Sequence, residues 1–367
     1  MGRICTQPVV LAAAIVAVGS LAAQPVYRSN VRLVRILATV KDMNGNPVGS
    51  LNKSDFRVFD NGVEQQIAVF DRESEQPLSA AILVDTSGST AIELKYETDS
   101  VNRFLKTLLR EGNPDDTAAL YTFNWQVTLQ CSYTRRLDRL EQALRRLKPE
   151  GGTSMYDAMY LASQDLGDRG GRHAMIVVTD GGDTTSSKTY HQALEAVQLA
   201  DAIVYPILVV PITNDAGRNI GGENALTTLA AATGGRVFAP SVGAELDRAF
   251  GDILRDLRTQ YVLGFYPKGV PATKDRFHRL KIALNRPGLQ AQYRTGYYGD
   301  SEAAAADQGA AAACASAESC AGGETGTYSK SRNDRYANKI AVRRKEKEGQ
   351  AAGTDVRGTE ISEASHR

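Results

Sequence analysis

Three short stretches of this sequence gather oxygen-bearing side chains where the chain changes direction. Asp85-Thr86-Ser87-Gly88-Ser89 follows the apolar run Ala80 to Val84, and Gly151-Gly152-Thr153-Ser154 precedes a helical pattern that begins near Met155. Thr179-Asp180-Gly181-Gly182-Asp183 follows a second apolar run, Ala174 to Val178. Ser87, Ser89 and Thr153 offer neutral hydroxyls, Asp85 and Asp180 offer carboxylates, and no Cys or His belongs to these stretches. An all-oxygen set of few charges suits a hard cation: Mg²⁺, which prefers near-octahedral oxygen ligands and keeps several waters, with Mn²⁺ and Ca²⁺ as alternatives. If the hydroxyls hold the ion directly and the carboxylates act largely through water, its charge stays undercompensated. A carboxylate on a partner then completes it.

Each residue also has a structural reading. Ser87, Ser89 and Thr153 are residue types that cap helix N-termini, and Ser154 with Asp157 has the spacing of a capping box. Asp180-Gly181 reads equally as an ordinary turn. Thr86 is a spacer between donors. Asp157 stands either behind the ligands or as a cap, and Asp183 either behind the ligands or in a turn. The joint occurrence of five suitable residues in three ordered loops favours the metal site over separate caps and turns.

The elements that position these loops follow from hydrophobic period. From Leu78 to about Gln260, short apolar strands alternate with helices: strands at Ala80 to Val84, Ala118 to Phe123, Val127 to Cys131, Ala174 to Val178 and Ile203 to Val210. Helices are expected over Ile92 to Leu109, Leu137 to Leu147, Met155 to Leu166, His191 to Leu199, Ala225 to Ala232 and Leu246 to Leu257, with a short last strand at Val237-Phe238. This order predicts an α/β fold, a doubly wound, mostly parallel sheet covered on both faces. In such sheets ligands sit at the carboxyl ends of strands near the switch in strand order. On either side the period becomes two. Val31 to Phe70, with an Asn44-Gly45 turn that signals a hairpin, and Tyr261 to Tyr298 are each too small for an independent core, so they are expected to pair as one small β-sandwich. The resulting division is 27–76 (N-terminal strands), 78–260 (α/β domain) and 261–299 (C-terminal strands).

Asp85-x-Ser87-x-Ser89, Gly152-Thr153 and Thr179-Asp180-Gly181, in this order and beside the right elements, resemble the metal-ion-dependent adhesion site of von Willebrand factor type A domains. Tyr156-Asp157-Ala158 is similar to that family's helix start after the threonine. The flanks, including Asp55-Phe56-Arg57-Val58 and Arg294-Thr295-Gly296-Tyr297, look similar to bacterial exported proteins with such a domain. The resemblance implies a Rossmann-like domain that binds a protein or matrix ligand through a divalent cation held by Asp85, Ser87, Ser89, Thr153 and Asp180, usually without catalysis.

Other classes fit less well. Lys and Arg number 43 against 42 Asp and Glu, which leaves no clustered basic excess for nucleic acid. No Gly-Lys-Ser/Thr loop is present to cradle a nucleotide phosphate, and the four His form no zinc pair. A phosphoryl-accepting Asp85 lacks the second acid two residues on, where Ser87 stands, and Ser87 has no evident His partner. The alternatives to a binding module are a metal-dependent hydrolase and a structural envelope protein with a vestigial site. Trp125 follows a strand and reads either as part of a binding rim or, the favoured reading, as core packing, and Cys131 is expected to be a small buried hydrophobe in a strand.

Residues 1–23, with Arg3, the apolar stretch Val9 to Val18 and a small-residue cleavage region, read as a secretory signal peptide rather than an uncleaved anchor, since the apolar run is short of a membrane span. The mature chain is then exported, to periplasm, cell surface or medium, with no integral span. Residues 300–367 are Ala-rich, then Gly-Ser-Thr-rich, then charged, and are expected to form a disordered tail.

Overall fold

In chain order the strands are β1 (Val34–Lys41), β2 (Phe56–Asp60), β3 (Val63–Gln65), β4 (Ile67–Arg72), β5 (Leu78–Asp85), β6 (Thr117–Phe123), β7 (Val127–Thr134), β8 (Arg172–Thr179), β9 (Ala202–Leu208), β10 (Gln260–Phe265), β11 (Phe277–Leu284), β12 (Gln290–Tyr293) and β13 (Gly296–Tyr298). The helices are α1 (Leu94–Glu111), α2 (Leu137–Leu144), α3 (Met155–Gly167), α4 (Tyr190–Leu199), α5 (Ile220–Thr233) and α6 (Ala244–Arg258). This computed structural model describes residues 33–72, 76–209, 219–241, 243–271, 273–274 and 276–299. The expected signal peptide and C-terminal tail lie outside them.

Five strands form the central sheet in the order β7-β6-β5-β8-β9. The β5–β6, β5–β8 and β8–β9 pairs are parallel, and β7 closes the edge antiparallel to β6. Every residue of β5 and of β8 is buried, as continuous apolar strands covered on both faces must be. Alternate side chains serve two cores. Ala80, Ile82, Val84, Ile176 and Val178 pack with Val101, Phe104 and Leu105 of α1 and Phe250 and Ile253 of α6. Ala81, Leu83, Met175 and Val177 pack with Met155, Met159 and Ala162 of α3, Val197 of α4 and Leu226 of α5. The order of connection turns around at β5, whose two neighbours are β6 and β8, so the crevice at the carboxyl ends of β5 and β8 is the switch point.

The flanking strands interleave as expected. One antiparallel sheet runs β12-β1-β10-β4 and the other β13-β11-β2-β3, each drawing strands from both ends of the chain. Val34, Ile36, Ala38, Phe56, Val58, Leu263, Phe265 and Ile282 fill the core they share. Asn61-Gly62 makes the tight β2–β3 turn, with φ of 46° and 84° and Asp60 opposite Val63.

Several expectations are corrected. The Asn44-Gly45 turn exists, shaped by Asp42 Oδ1, which accepts the N–H groups of Asn44 and Asn46, but no β1–β2 hairpin follows. β1 pairs with β10 and β12, while β2 joins the other sheet beside β11 and β3. The turn signal is local, whereas partner choice depends on burying both apolar faces. Trp125 is 58% exposed instead of in the core, because it sits in the β6–β7 turn. Cys131 is only partly buried, since β7 is an edge strand. β9 stops at Leu208, and Val237-Phe238 yields a single bridge, Phe238 to Ile207. α5 begins at Ile220, ahead of the expected Ala225. Asn219 caps it by accepting the N–H of Gly222, whose missing side chain lets the helix press on Gly181 O, 1.7 Å from where a Cβ would stand.

Candidate metal centre

The first loop starts where β5 ends. Asp85 is fully buried; its Oδ1 accepts the N–H of Ser87 at 2.8 Å and its Oδ2 accepts the hydroxyl of Thr179 at 2.7 Å. Thr90 folds the loop back by donating its hydroxyl to the carbonyls of Asp85 and Ser87. This brings the Ser87 and Ser89 hydroxyls to 3.0 Å from each other. Ser87 heads the turn Gly88–Thr90 without a side-chain cap bond, so the capping alternative does not account for it.

The second loop precedes α3. Gly152 adopts φ 78° and lies against Trp125, where a Cβ would come within 2.9 Å of the Trp125 Cβ. Thr153 follows and is buried. Ser154 occupies the helix N-cap without a side-chain cap bond; its hydroxyl meets that of Thr185 at 2.8 Å. The Ser154–Asp157 capping box therefore does not form. Asp157 instead accepts the N–H groups of Ser187 (3.0 Å) and Lys188 (2.7 Å), and Asp183 accepts the Tyr156 N–H (3.2 Å) and the Ser186 hydroxyl (2.6 Å). Both acids tie the segment after β8 to the start of α3.

The third loop follows β8. Gly181, at φ 91°, donates its N–H to Thr179 Oγ1, while Asp180 Oδ1 accepts the Gly182 N–H. Asp180 is half-buried, Ser89 exposed, and Asp85 closed off from solvent.

Each loop is bonded to the other two. Thr179 reaches Asp85; Glu150 N–H donates to Thr86 O at 2.8 Å; and Thr153 O accepts the N–H groups of Thr184 and Thr185, while its own N–H donates to Thr184 Oγ1. Backbone and side-chain bonds thus fix the loops carrying Asp85, Ser87, Ser89, Thr153 and Asp180. Sequence reasoning gave no role to Thr179, although a hydroxyl residue ending a buried strand was a readable signal.

The electrostatics are one-sided. Burial pushes the Asp85 carboxyl up to about 6, the Asp180 carboxylate adding to it and the Thr179 and Ser87 hydrogen bonds opposing it. Among the described residues Asp85 and Asp180 have no ion-pair partner. A buried carboxylate without a cation, beside hydroxyl oxygens, fits a hard divalent ion. Among the described residues no three His, Cys, Asp or Glu side chains converge, so such an ion would rely on hydroxyls and water for the rest of its shell.

The doubly wound sheet carries this loop arrangement at its switch point, and residues 80–182 match the von Willebrand factor type A domain. Similar solved structures include the vWF domain of the type V pili tip protein Mfa5 from Porphyromonas gingivalis (15% identity over 48% of this chain and 94% of that one, TM-score 0.42). The conserved hypothetical protein BatB from Bacteroides thetaiotaomicron is similar too (16% identity, 49% and 98%, TM-score 0.41). A third is the pilus adhesin SpaC from Lactobacillus rhamnosus GG (12% identity, 70% and 42%, TM-score 0.42). No curated protein matches the chain.

Proposed function

We propose that this chain is an exported, non-catalytic binding protein, an adhesion or scaffold module. Its site at the β5–β8 switch point would hold Mg²⁺, or Mn²⁺ or Ca²⁺ in its place, through Asp85, Ser87, Ser89, Thr153 and Asp180. The ion would supply a Lewis-acidic position for an Asp or Glu carboxylate of a protein or matrix ligand. The observation that carries this reading is the buried Asp85 carboxylate, locked by Thr179 and Ser87 in an oxygen-rich loop and, among the described residues, without an ion-pair partner.

The protein supplies preorganisation. Because the loops are bonded to one another, the donors need little rearrangement on binding, and less affinity is lost to ordering. Asp180 and Ser89 lie toward solvent, where a ligand carboxylate can approach. Export rests on the sequence of residues 1–23; among the described residues no helix is long and apolar enough to cross a membrane.

Calorimetric titration with Mg²⁺, Mn²⁺ and Ca²⁺, followed by capture of ligand with and without chelator, tests the reading. Asp85→Ala and Asp180→Ala are expected to abolish cation binding and cation-dependent capture while the far-UV spectrum stays native. Capture that persists in excess chelator rejects the mechanism, and turnover of an ester or phosphoester substrate lost on Asp85→Ala would favour the hydrolase instead.

A further inference from the structure

The buried face of α1 reads Leu94, Glu97, Ser100, Val101, Phe104, Leu105 and Leu108. Glu97 stands where an apolar residue would complete the stripe. It is fully buried, and neither carboxylate oxygen has a hydrogen-bond partner. One turn earlier Glu93, the α1 N-cap, is 3% exposed and has an unpartnered Oε1. Residues at this spacing share a helix face. Buried carboxylates are ordinarily paired or hydrogen-bonded, so a wholly unpartnered one with a half-unpartnered one a turn away needs a physical reason.

Position supplies it. α1 follows directly on the Asp85–Ser89 loop, and the charges that act on Glu97 are, in order, those of Asp85, Glu93 and Asp180. Burial and these neighbours hold the Glu97 carboxyl well above the usual carboxylate range. Among the described residues none of the four acids has an ion-pair partner. The positive end of α1 offsets only part of a charge there. The four acids do not converge as ligands of one ion, but their charges act on Glu97, and bare oxygens on Glu97 and Glu93 are a poor arrangement for an empty protein and a favourable one near a cation.

We propose that Glu97, backed by Glu93, is a further residue of the cation site, a positioning carboxylate beside Asp85 that supplies negative charge to the ion and raises the affinity for it. This rests on the cation-dependent reading given above. Glu97 then costs the empty fold stability and returns it when the ion is bound.

The test uses the full chain as wild type, Glu97→Gln, Glu97→Leu and Asp180→Ala, with Mn²⁺ binding read from the free-ion resonance and thermal unfolding in chelator. Glu97→Gln is expected to bind Mn²⁺ at least tenfold more weakly while its metal-free form melts as high as the wild type or higher; Glu97→Leu, which completes the apolar stripe, should do the same. The preference for Tb³⁺ over Mn²⁺ should fall in both, because it tracks the negative charge of the site. Unchanged Mn²⁺ affinity in both variants, with Asp180→Ala still losing the ion, overturns this inference and leaves the cation site standing. Lower metal-free stability in both variants also overturns it, since Glu97 would then be structural. Wild-type protein that binds no Mn²⁺ overturns both readings.

Discussion

The hydroxyl of Thr179, the last residue of β8, donates to Oδ2 of Asp85, the last residue of β5, across 2.7 Å and 94 positions of sequence. Thr179 Oγ1 in turn accepts the Gly181 N–H, so one hydroxyl sets both the Asp85 carboxylate and the path of the loop that carries Asp180. Thr179→Val keeps the shape and removes both bonds. The variant should lose about 1–3 kcal/mol of stability, the cost of leaving a buried acceptor unpaired. Its Mg²⁺ affinity should fall several-fold. Urea unfolding with a parallel calorimetric titration measures both, and wild-type values for the two would remove Thr179 from the site.

Asp85 makes the metal-free protein respond to pH in an uncommon direction. Its folded form holds the proton up to about 6, against 3.8 for the ordinary carboxyl. A folded value above the unfolded one gives a contribution fully present below about pH 4 and lost as pH rises through about 6, worth about 3 kcal/mol. Unfolding in chelator of wild type and Asp85→Asn at pH 4 and pH 7 isolates it: the wild-type advantage should shrink by that order as pH rises. A difference that stays flat would mean the carboxyl is not destabilised by burial. With Mg²⁺ present the trend should reverse, binding weakening below about pH 6 as the proton competes.

Gly152 offers a test of the second loop. A side chain there would meet both a φ of 78° and the Trp125 Cβ, whereas at Gly151 nothing lies within 4 Å. Gly152→Ala should cost about 1–3 kcal/mol through backbone strain and weaken Mg²⁺ binding by displacing Thr153, while Gly151→Ala stays close to wild type. Trp125, the only tryptophan, packs on this loop and hydrogen-bonds Glu150 through Nε1 at 3.1 Å. Its fluorescence should therefore shift on Mg²⁺ addition in wild type and stay constant in Asp180→Ala.

What the sequence made legible were features fixed by local period. The buried strands ending at Asp85 and Thr179, the helix starting at Met155 and the sheet they imply follow from apolar runs and their spacing, and the three loops follow from where those runs stop. Partner choice was not legible: Asn44-Gly45 marks a turn correctly but carries no information on which sheet each flanking strand joins. Trp125 was misplaced because composition favours a buried Trp, while its β6–β7 turn leaves the ring in solvent. Glu97 was legible and unread. It falls three residues after Leu94 and four before Val101, on the apolar stripe, and a charge on that stripe is the sequence signature of a buried acid.

The β-sandwich stabilises itself around a different polar group, and this separates fold from site. Asp60 is fully buried among β-strands; its Oδ2 accepts the Tyr297 hydroxyl at 2.6 Å and its Oδ1 lies 3.0 Å from His278 Nδ1. The rings of His278 and Tyr297 stack with centroids 4.7 Å apart, which ties β2, β11 and β13 into one sheet. Tyr297→Phe keeps the stacking and leaves Asp60 one donor short, so it should cost about 1–3 kcal/mol. Among the described residues no hydrogen bond or ion pair joins this cluster to the oxygen-rich loops, and the folded fraction of Tyr297→Phe should bind Mg²⁺ with wild-type affinity. Loss of Mg²⁺ binding at a temperature where the variant remains folded would show that sandwich and site are energetically coupled, and would require the loops to depend on the sandwich for their shape.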